Sequence, residues 1–228
     1  MVSILVELPV AQAFLPVCSL PEYRTGDRTR NASFRINILA MAFYRRNLPH
    51  WQPDGVPLFV TWRLHGSLPA SVHHQQTRSQ ITPAVRPSFP GSRFLADDHH
   101  LDQAKLGPVW LKDPRIARVL VDALHFGESN LRLYELYAYV VMANHIHVLL
   151  RPSVPLERIT KLLKGFTARQ ANRILGRTGQ RFWQEESYDH WVRNEAEFSR
   201  IATYVEHNPV SAGLLERPED WPWSSAHK

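Results

Sequence analysis

Two histidines one residue apart, His145-Ile146-His147, are the residues of this chain best placed to do chemistry. On a β-strand, side chains two apart point to the same face, so both imidazoles would be presented together while Ile146 and Val148 face the core. Two neutral imidazoles side by side form the first half of a metal site; the plain alternative is a pair of histidines on a solvated sheet face. The lone Cys18 can make neither an internal disulfide nor a thiolate cluster, which fits a reducing, cytoplasmic setting and leaves a metal only His, Asn, Gln or carboxylate ligands. A long amidohydrolase-type barrel would place such a pair near its start, yet 81 residues follow His147. A cupin would need a glutamate shortly downstream, where Arg151-Pro152 stand.

Tyr204 and Asn208 form a second pair. Asn194 is a good helix N-cap with Glu197 as capping-box partner, and Phe198, Ile201, Ala202 and Val205 define an apolar stripe. Tyr204 lies about 120° from the centre of that stripe. It therefore reads as a flanking residue, and Asn208 shares its side if the turn before Pro209, expected to end the helix, stays helical. A third feature is basic: Arg158, Lys161, Lys164, Arg169, Arg173, Arg177 and Arg181 occur without an intervening acid. Arg158, Lys161, Lys164 and Arg169 flank a helical apolar stripe along which a polyanion could lie; if about four cations met single-stranded phosphates, affinity would fall with salt at a log–log slope of about −3. Gly176-Arg177-Thr178-Gly179 matches the GxxG of a nucleic-acid-binding loop but reads better as a helix terminus. Neither a P-loop nor a dinucleotide fingerprint is present.

The elements that must position these residues can be read from pattern. The chain has 228 residues, 44% hydrophobic and 21% charged, with a formal charge of +6 that favours a polyanionic partner. Residues 1–20 hold Glu7, Pro9 and Pro16 and no basic residue, unlike a signal peptide, and no apolar run is long enough for a membrane span. Residues 1–40 read as a poorly ordered extension. Val56–Leu64 is a β-branched and aromatic strand, and 66–108 reads as a partly irregular insertion whose His73-His74 and His99-His100 pairs suit a solvated loop. Ile116, Val119, Leu120 and Ala123 share a helix face. Leu131–Met142 and His145–Leu150 flank Ala143-Asn144 as a hairpin, Leu156–Leu175 is a helix carrying Ile159, Leu162, Leu163, Phe166 and Ile174, and a short strand is expected within 182–190. The sum is an α+β fold with helices on one face of an antiparallel sheet.

Taken together, Met142-Ala143-Asn144-His145-Ile146-His147, Tyr204-Val205-Glu206-His207-Asn208-Pro209 and Asp220-Trp221-Pro222-Trp223-Ser224-Ser225 resemble the single-tyrosine HUH transposases of the IS200-like family, in particular the REP-associated tyrosine transposase branch. Phe182-Trp183-Gln184 and Tyr188-Asp189-His190 add to the likeness, which runs from about Met41 to the C-terminus; Ala143 departs from it, standing where proline is common and implying a slightly looser hairpin.

The resemblance implies a ferredoxin-like antiparallel sheet in a domain of residues 41–228. It implies a divalent ion, Mg²⁺ or Mn²⁺, held by His145, His147 and Asn208, and Tyr204 as nucleophile, with Tyr134, Tyr137, Tyr139 and Tyr188 as less suitable rivals. The partner would be single-stranded or hairpin DNA gripped by Arg158, Lys161, Lys164, Arg169 and Arg173, with no membrane and with room for a homodimer. The expected function is metal-dependent cleavage and transfer of single-stranded DNA at hairpin-forming repeats through a 5′-phosphotyrosine. Two other classes stay open: a DNA-binding protein of palindromic repeats that does not cleave, and a metal hydrolase of small substrates.

Overall fold

A computed structural model describes residues 41–45, 49–53, 55–68 and 92–228, with side chains from residue 55 onward except those of Ser92, Arg93 and Leu95. The expectations for residues 1–40, Cys18 and His73-His74 lie outside the described residues. The elements are β1 (Met41–Arg45), β2 (Pro49–Pro53), β3 (Leu58–Arg63), α1 (Ser92–Gln103), α2 (Pro114–Ser129), β4 (Tyr134–Val141), β5 (His145–Pro152), α3 (Leu156–Ile174), β6 (Tyr188–Trp191) and α4 (Glu195–Ser211). Strands β1 and β2 pair with each other, while the main sheet is antiparallel in the order β4-β5-β3-β6. The run β3-α2-β4-β5-α3-β6 with that strand order is the ferredoxin-like βαββαβ arrangement.

Alternation along the strands separates two cores. Leu58, Val60, Ile146 and Val148 point to the face covered by α2, through Ile116 and Leu120, and by α3, through Ile159, Leu163 and Phe166. The two crossover helices thus share one face, as the sequence pattern implies. The opposite face is not left to solvent: Phe59, Val140 and Leu149 are buried there against Phe94 of α1 and Ile201 and Val205 of α4. Strands apolar on both sides must be covered on both sides, and the near-continuous apolar runs of β3 and β5 carried that signal. Asp113 caps α2 by accepting from the Arg115 amide at 2.9 Å, with Pro114 in the first turn where no amide donor is missed.

Helix α4 departs from expectation in two ways. Its buried residues are Glu197, Ile201, Val205, Asn208 and Pro209, so the helix is rolled toward Tyr204, and Phe198 and Ala202 fall to its flank. Glu197 explains the roll. It is buried, pairs with His190 of β6 at 3.1 Å, and accepts from the Arg193 amide at 2.8 Å rather than from that of Asn194, while Asn194 does accept from the Glu197 amide at 2.9 Å. Pro209 does not end the helix, which runs on to Ser211. Termination comes from Gly213 at φ 69°, where Leu214 donates to the Pro209 carbonyl at 3.0 Å and Gly213 to that of Val210 at 2.9 Å, a glycine cap in the left-handed region.

The segment after α4 closes the β4 edge. Val141 donates to the Trp223 carbonyl at 2.9 Å, Ser225 to that of Tyr139 at 3.0 Å, and the Trp221 indole to that of Val141 at 3.0 Å. Ser225 Oγ also donates to Glu206 of α4 at 3.0 Å. No helix among the described residues is long and apolar enough to cross a membrane.

Candidate active site

The His145–His147 pair lies on the face covered by α1 and α4, and both rings are fully buried. The register of β3 and β5 sets Thr61 opposite His147 and Arg63 opposite His145, so all four residues share this face. The turn before the pair is fastened from outside: Leu64 donates to the Asn144 carbonyl at 2.8 Å and Leu111 to that of Ala143 at 3.2 Å, so the hairpin is anchored at the position where proline is lacking.

The hydrogen-bond network assigns the His145 tautomer. Asn144 Nδ2 donates to the Leu101 carbonyl at 3.0 Å, so its Oδ1, 2.8 Å from His145 Nδ1, accepts the ring hydrogen. His147 Nδ1 lies 2.7 Å from Thr61 Oγ1, and its Nε2 accepts from Asn208 Nδ2 at 3.4 Å. The bonds at Nδ1 turn both rings so that their Nε2 atoms meet, 3.0 Å apart. Into the same place α1 brings two carboxylates: Asp98 Oδ1 is 3.1 Å from His147 Nε2 and 3.7 Å from His145 Nε2, and Asp102 Oδ1 is 3.6 Å from His145 Nε2.

This cluster has an excess of lone pairs. The Asp98, Asp102 and Asn208 Oδ1 atoms are buried and have no hydrogen-bond donor among the described residues. Burial pushes His145 down to about 3, so the ring stays neutral and contributes no charge. Burial pushes the Asp98 carboxyl up, and its contacts with His147 and with the Asn208 amide pull it the other way and prevail. Asp102, buried beside the Asp98 charge, is pushed up to about 7. Asp98, His145 and His147 offer ligand atoms that lie within 4.8 Å of one another. A spacing of 3.0 Å between the nitrogens is the edge of an octahedron with bonds of about 2.1 Å, the coordination hard divalent ions prefer. The donors fit a divalent cation, and the Asn208 side-chain amide lies beside them, its Nδ2 3.4 Å from His147 Nε2.

The strained carboxylate gives a measurable expectation. An Asp102 whose folded pKa is raised costs nothing at low pH and destabilises the fold as pH rises through the interval from 3.8 to about 7. Asp102→Asn should therefore raise the melting temperature of the metal-free protein at pH 8, by an amount equivalent to at most about 4 kcal/mol, and change it little at pH 4. Equal shifts at both pH values in a melting series would contradict the assignment.

Tyr204 reaches the same cluster. Its hydroxyl donates to Asp98 Oδ2, and its ring meets those of Phe59, Phe94 and His147 at centroid distances of 6.1, 6.2 and 5.7 Å. The roll of α4 makes this residue half-buried and inward-facing, whereas the apolar stripe alone put it on the flank. One chain thus gathers His145, His147, Tyr204 and Asn208. Tyr188 is on the same face, packed on Phe94 at 4.5 Å, and burial pushes its phenol up, as it does those of Tyr134 and Tyr139.

The basic residues of α3 do not join this site. Their helix packs on the other face of the sheet. Arg158, Lys161, Arg169 and Arg173 are exposed there, Arg173 donating to Gln170 at 3.1 Å. Lys164 donates to the Glu185 carbonyl at 2.8 Å and to Ser187 at 3.2 Å, tying α3 to the approach of β6. Arg177 stacks on Trp110, 3.7 Å from the ring centre. Pattern reading missed Asp98 and Asp102, which sit in a segment without clear apolar periodicity. It also missed Arg63, whose guanidinium is lowered to about 10 by burial, against the opposing pull of Asp97. His99 and His100, by contrast, are exposed.

Comparison with known proteins bears on the same residues. A REP-associated tyrosine transposase of Escherichia coli K12 is 26% identical over 103 residues, covering 42% of this chain and 57% of that protein. A Haemophilus influenzae protein assigned to the same group is 27% identical over 106 residues, covering 42% of this chain and 60% of the relative. The chain thus spans less than two thirds of the length of these curated relatives. A solved REP-associated tyrosine transposase bound to a REP hairpin overlays with a TM-score of 0.45 and 18% identity, over 81% of this chain and 82% of that one. Residues 127–208, which hold both imidazoles, the phenol and the Asn208 amide, match the family described as IS200-like transposases, so the likeness first seen in the short motifs is shown by comparison of the sequence.

Proposed function

We propose that this chain cleaves and rejoins single-stranded DNA at hairpin-forming repeats, with Tyr204 as the nucleophile that keeps a 5′-phosphate. The observation that carries this reading is the meeting of the Tyr204 hydroxyl with the His145–His147 cluster through Asp98. His145, His147 and Asn208, with Asp98, would hold Mg²⁺ or Mn²⁺. Such an ion, when bound, neutralises charge on the scissile phosphate and polarises its P–O bond.

The protein's own groups have separable roles. The phenol oxygen forms the new bond to phosphorus as the bond to the 3′-oxygen breaks; the phenolic proton passes to the carboxylate or solvent, and the departing 3′-oxygen takes one from water. The phosphodiester energy is retained in the tyrosyl ester, so a second 3′-end can be joined by the reverse attack without a nucleotide cofactor. Phe59, Phe94 and His147 hold the Tyr204 ring, and Thr61 and Asn144 fix the imidazoles with Nε2 exposed to the cluster.

Arg158, Lys161, Lys164, Arg169 and Arg173 are proposed to grip the DNA backbone. Because α3 lies behind the sheet, this grip is separate from the cleavage site. The test is direct: the protein, Mn²⁺ and a labelled hairpin oligonucleotide with a single-stranded flank are expected to yield a protein–DNA adduct that survives denaturation. Retained hairpin binding without an adduct, across metals and flank sequences, would instead identify a binder of palindromic repeats.

A further inference from the structure

We propose that Asp98 is a positioning residue that ties the nucleophile to the metal site, one carboxylate oxygen serving the cation and the other fixing the Tyr204 hydroxyl. This deepens the reading above and rests on it. Asp98 belongs to α1, outside the stretch 127–208 that matches the IS200-like family, so the residues of that match would not complete the centre by themselves.

Geometry makes the case. A carboxylate is a rigid two-oxygen group with lone pairs on both atoms, so it can serve two partners at once. In this chain Oδ2 accepts the Tyr204 hydroxyl, while Oδ1 lies beside both Nε2 atoms and has no hydrogen-bond donor among the described residues. The ring contacts of Tyr204 are edge-on, with interplanar angles of 78°, 62° and 62° to Phe59, Phe94 and His147. They locate the ring, and the bond to Asp98 directs its oxygen. The helix that supplies the carboxylate is itself docked on the histidine motif, because Asn144 binds the Leu101 carbonyl with its amide nitrogen and His145 with its oxygen. Phe94, one turn earlier on α1, packs on Phe59 at 5.4 Å and on His147 at 6.1 Å. Two carboxyl groups brought to one imidazole, Asp98 3% exposed and the Asp98 and Asp102 Oδ1 atoms 3.7 and 3.6 Å from His145 Nε2, are expensive for a fold to keep, and a cation is what repays the burial.

The test reads metal binding and the nucleophile's surroundings rather than turnover. Mn²⁺ affinity is measured by calorimetry, and the protein is labelled with fluorotyrosine so that Tyr204→Phe identifies the residue-204 resonance among the seven tyrosines. In the wild type, Mg²⁺ is expected to shift that resonance. Asp98→Asn, close in shape and able to offer only one oxygen, should weaken Mn²⁺ binding about tenfold and lose the shift at saturating Mg²⁺, and Asp98→Glu should restore most of both. Asp98→Ala should behave as Asp98→Asn does. Wild-type affinity in both Asn and Ala variants, or an unchanged shift, would overturn the proposal. His145→Ala separates the two readings: if it too binds Mn²⁺ like the wild type, the metal site itself is misplaced, whereas its loss of affinity with Asp98 variants unaffected removes Asp98 alone.

Discussion

Tyr204→Phe should abolish the covalent protein–DNA adduct, lowering its rate of formation at least about 10³-fold, while hairpin affinity stays within about twofold of the wild type. Phenylalanine keeps the ring that packs against Phe59, Phe94 and His147 and removes only the oxygen proposed to attack. The change also leaves Asp98 Oδ2 without its phenolic donor, a loss worth about 1–3 kcal/mol for a buried acceptor. Stability should fall modestly, and melting curves taken beside the denaturing gel separate that fall from the chemical effect. Hairpin binding is expected to survive because the α3 cations stand on the other side of the sheet from the phenol. Undiminished adduct would transfer the role to another side chain, with Tyr188 first in line because it shares the face.

His147→Ala should lower Mn²⁺ affinity more than about 100-fold, beyond what loss of a merely supporting residue costs, and should remove the adduct with it. No other residue is so central to the cluster. Its ring stacks on Phe59 at 5.5 Å, its Nδ1 meets Thr61, and its Nε2 faces His145, Asp98 and Asn208. Truncation also opens a void beside Phe59, so His147→Gln is the companion variant: it fills more of the space and lacks the imidazole. Calorimetric affinity near the wild-type value in both variants would show that this imidazole is no ligand. A rise in melting temperature on adding Mg²⁺, seen in the wild type and absent in both variants, would be the matching positive result.

The hairpin and its histidines were legible because Ala143-Asn144 interrupts two strand-like runs with a short turn and because residues two apart on a strand share a face. The crossover helices were legible for a similar reason: Ile116, Leu120, Ile159 and Leu163 recur at helical spacing, and burial follows it. What local pattern does not encode is which neighbour a face meets. The apolar stripe of α4 centres between Ile201 and Ala202, but the buried pair of Glu197 and His190 turns the helix toward Tyr204 and Asn208. Asp98 was hidden for the same reason. In a segment of mixed aspartates and histidines nothing distinguishes it from Asp97, and only packing of α1 over the sheet selects it. Pro209 misled because a proline in the last turn gives up one donor without ending the helix when a glycine cap follows.

The serine that links strand and helix near the chain's end couples distant parts of the molecule. Ser225 is hydrogen-bonded to the β4 backbone and to Glu206, two residues beyond Tyr204 on the same helix. The tail therefore acts as a clasp, and the tilt of α4, hence the aim of its phenol, depends on residues that never approach the reacting atoms. Loosening the clasp would surface as slower formation of the expected adduct with Mn²⁺ affinity unchanged.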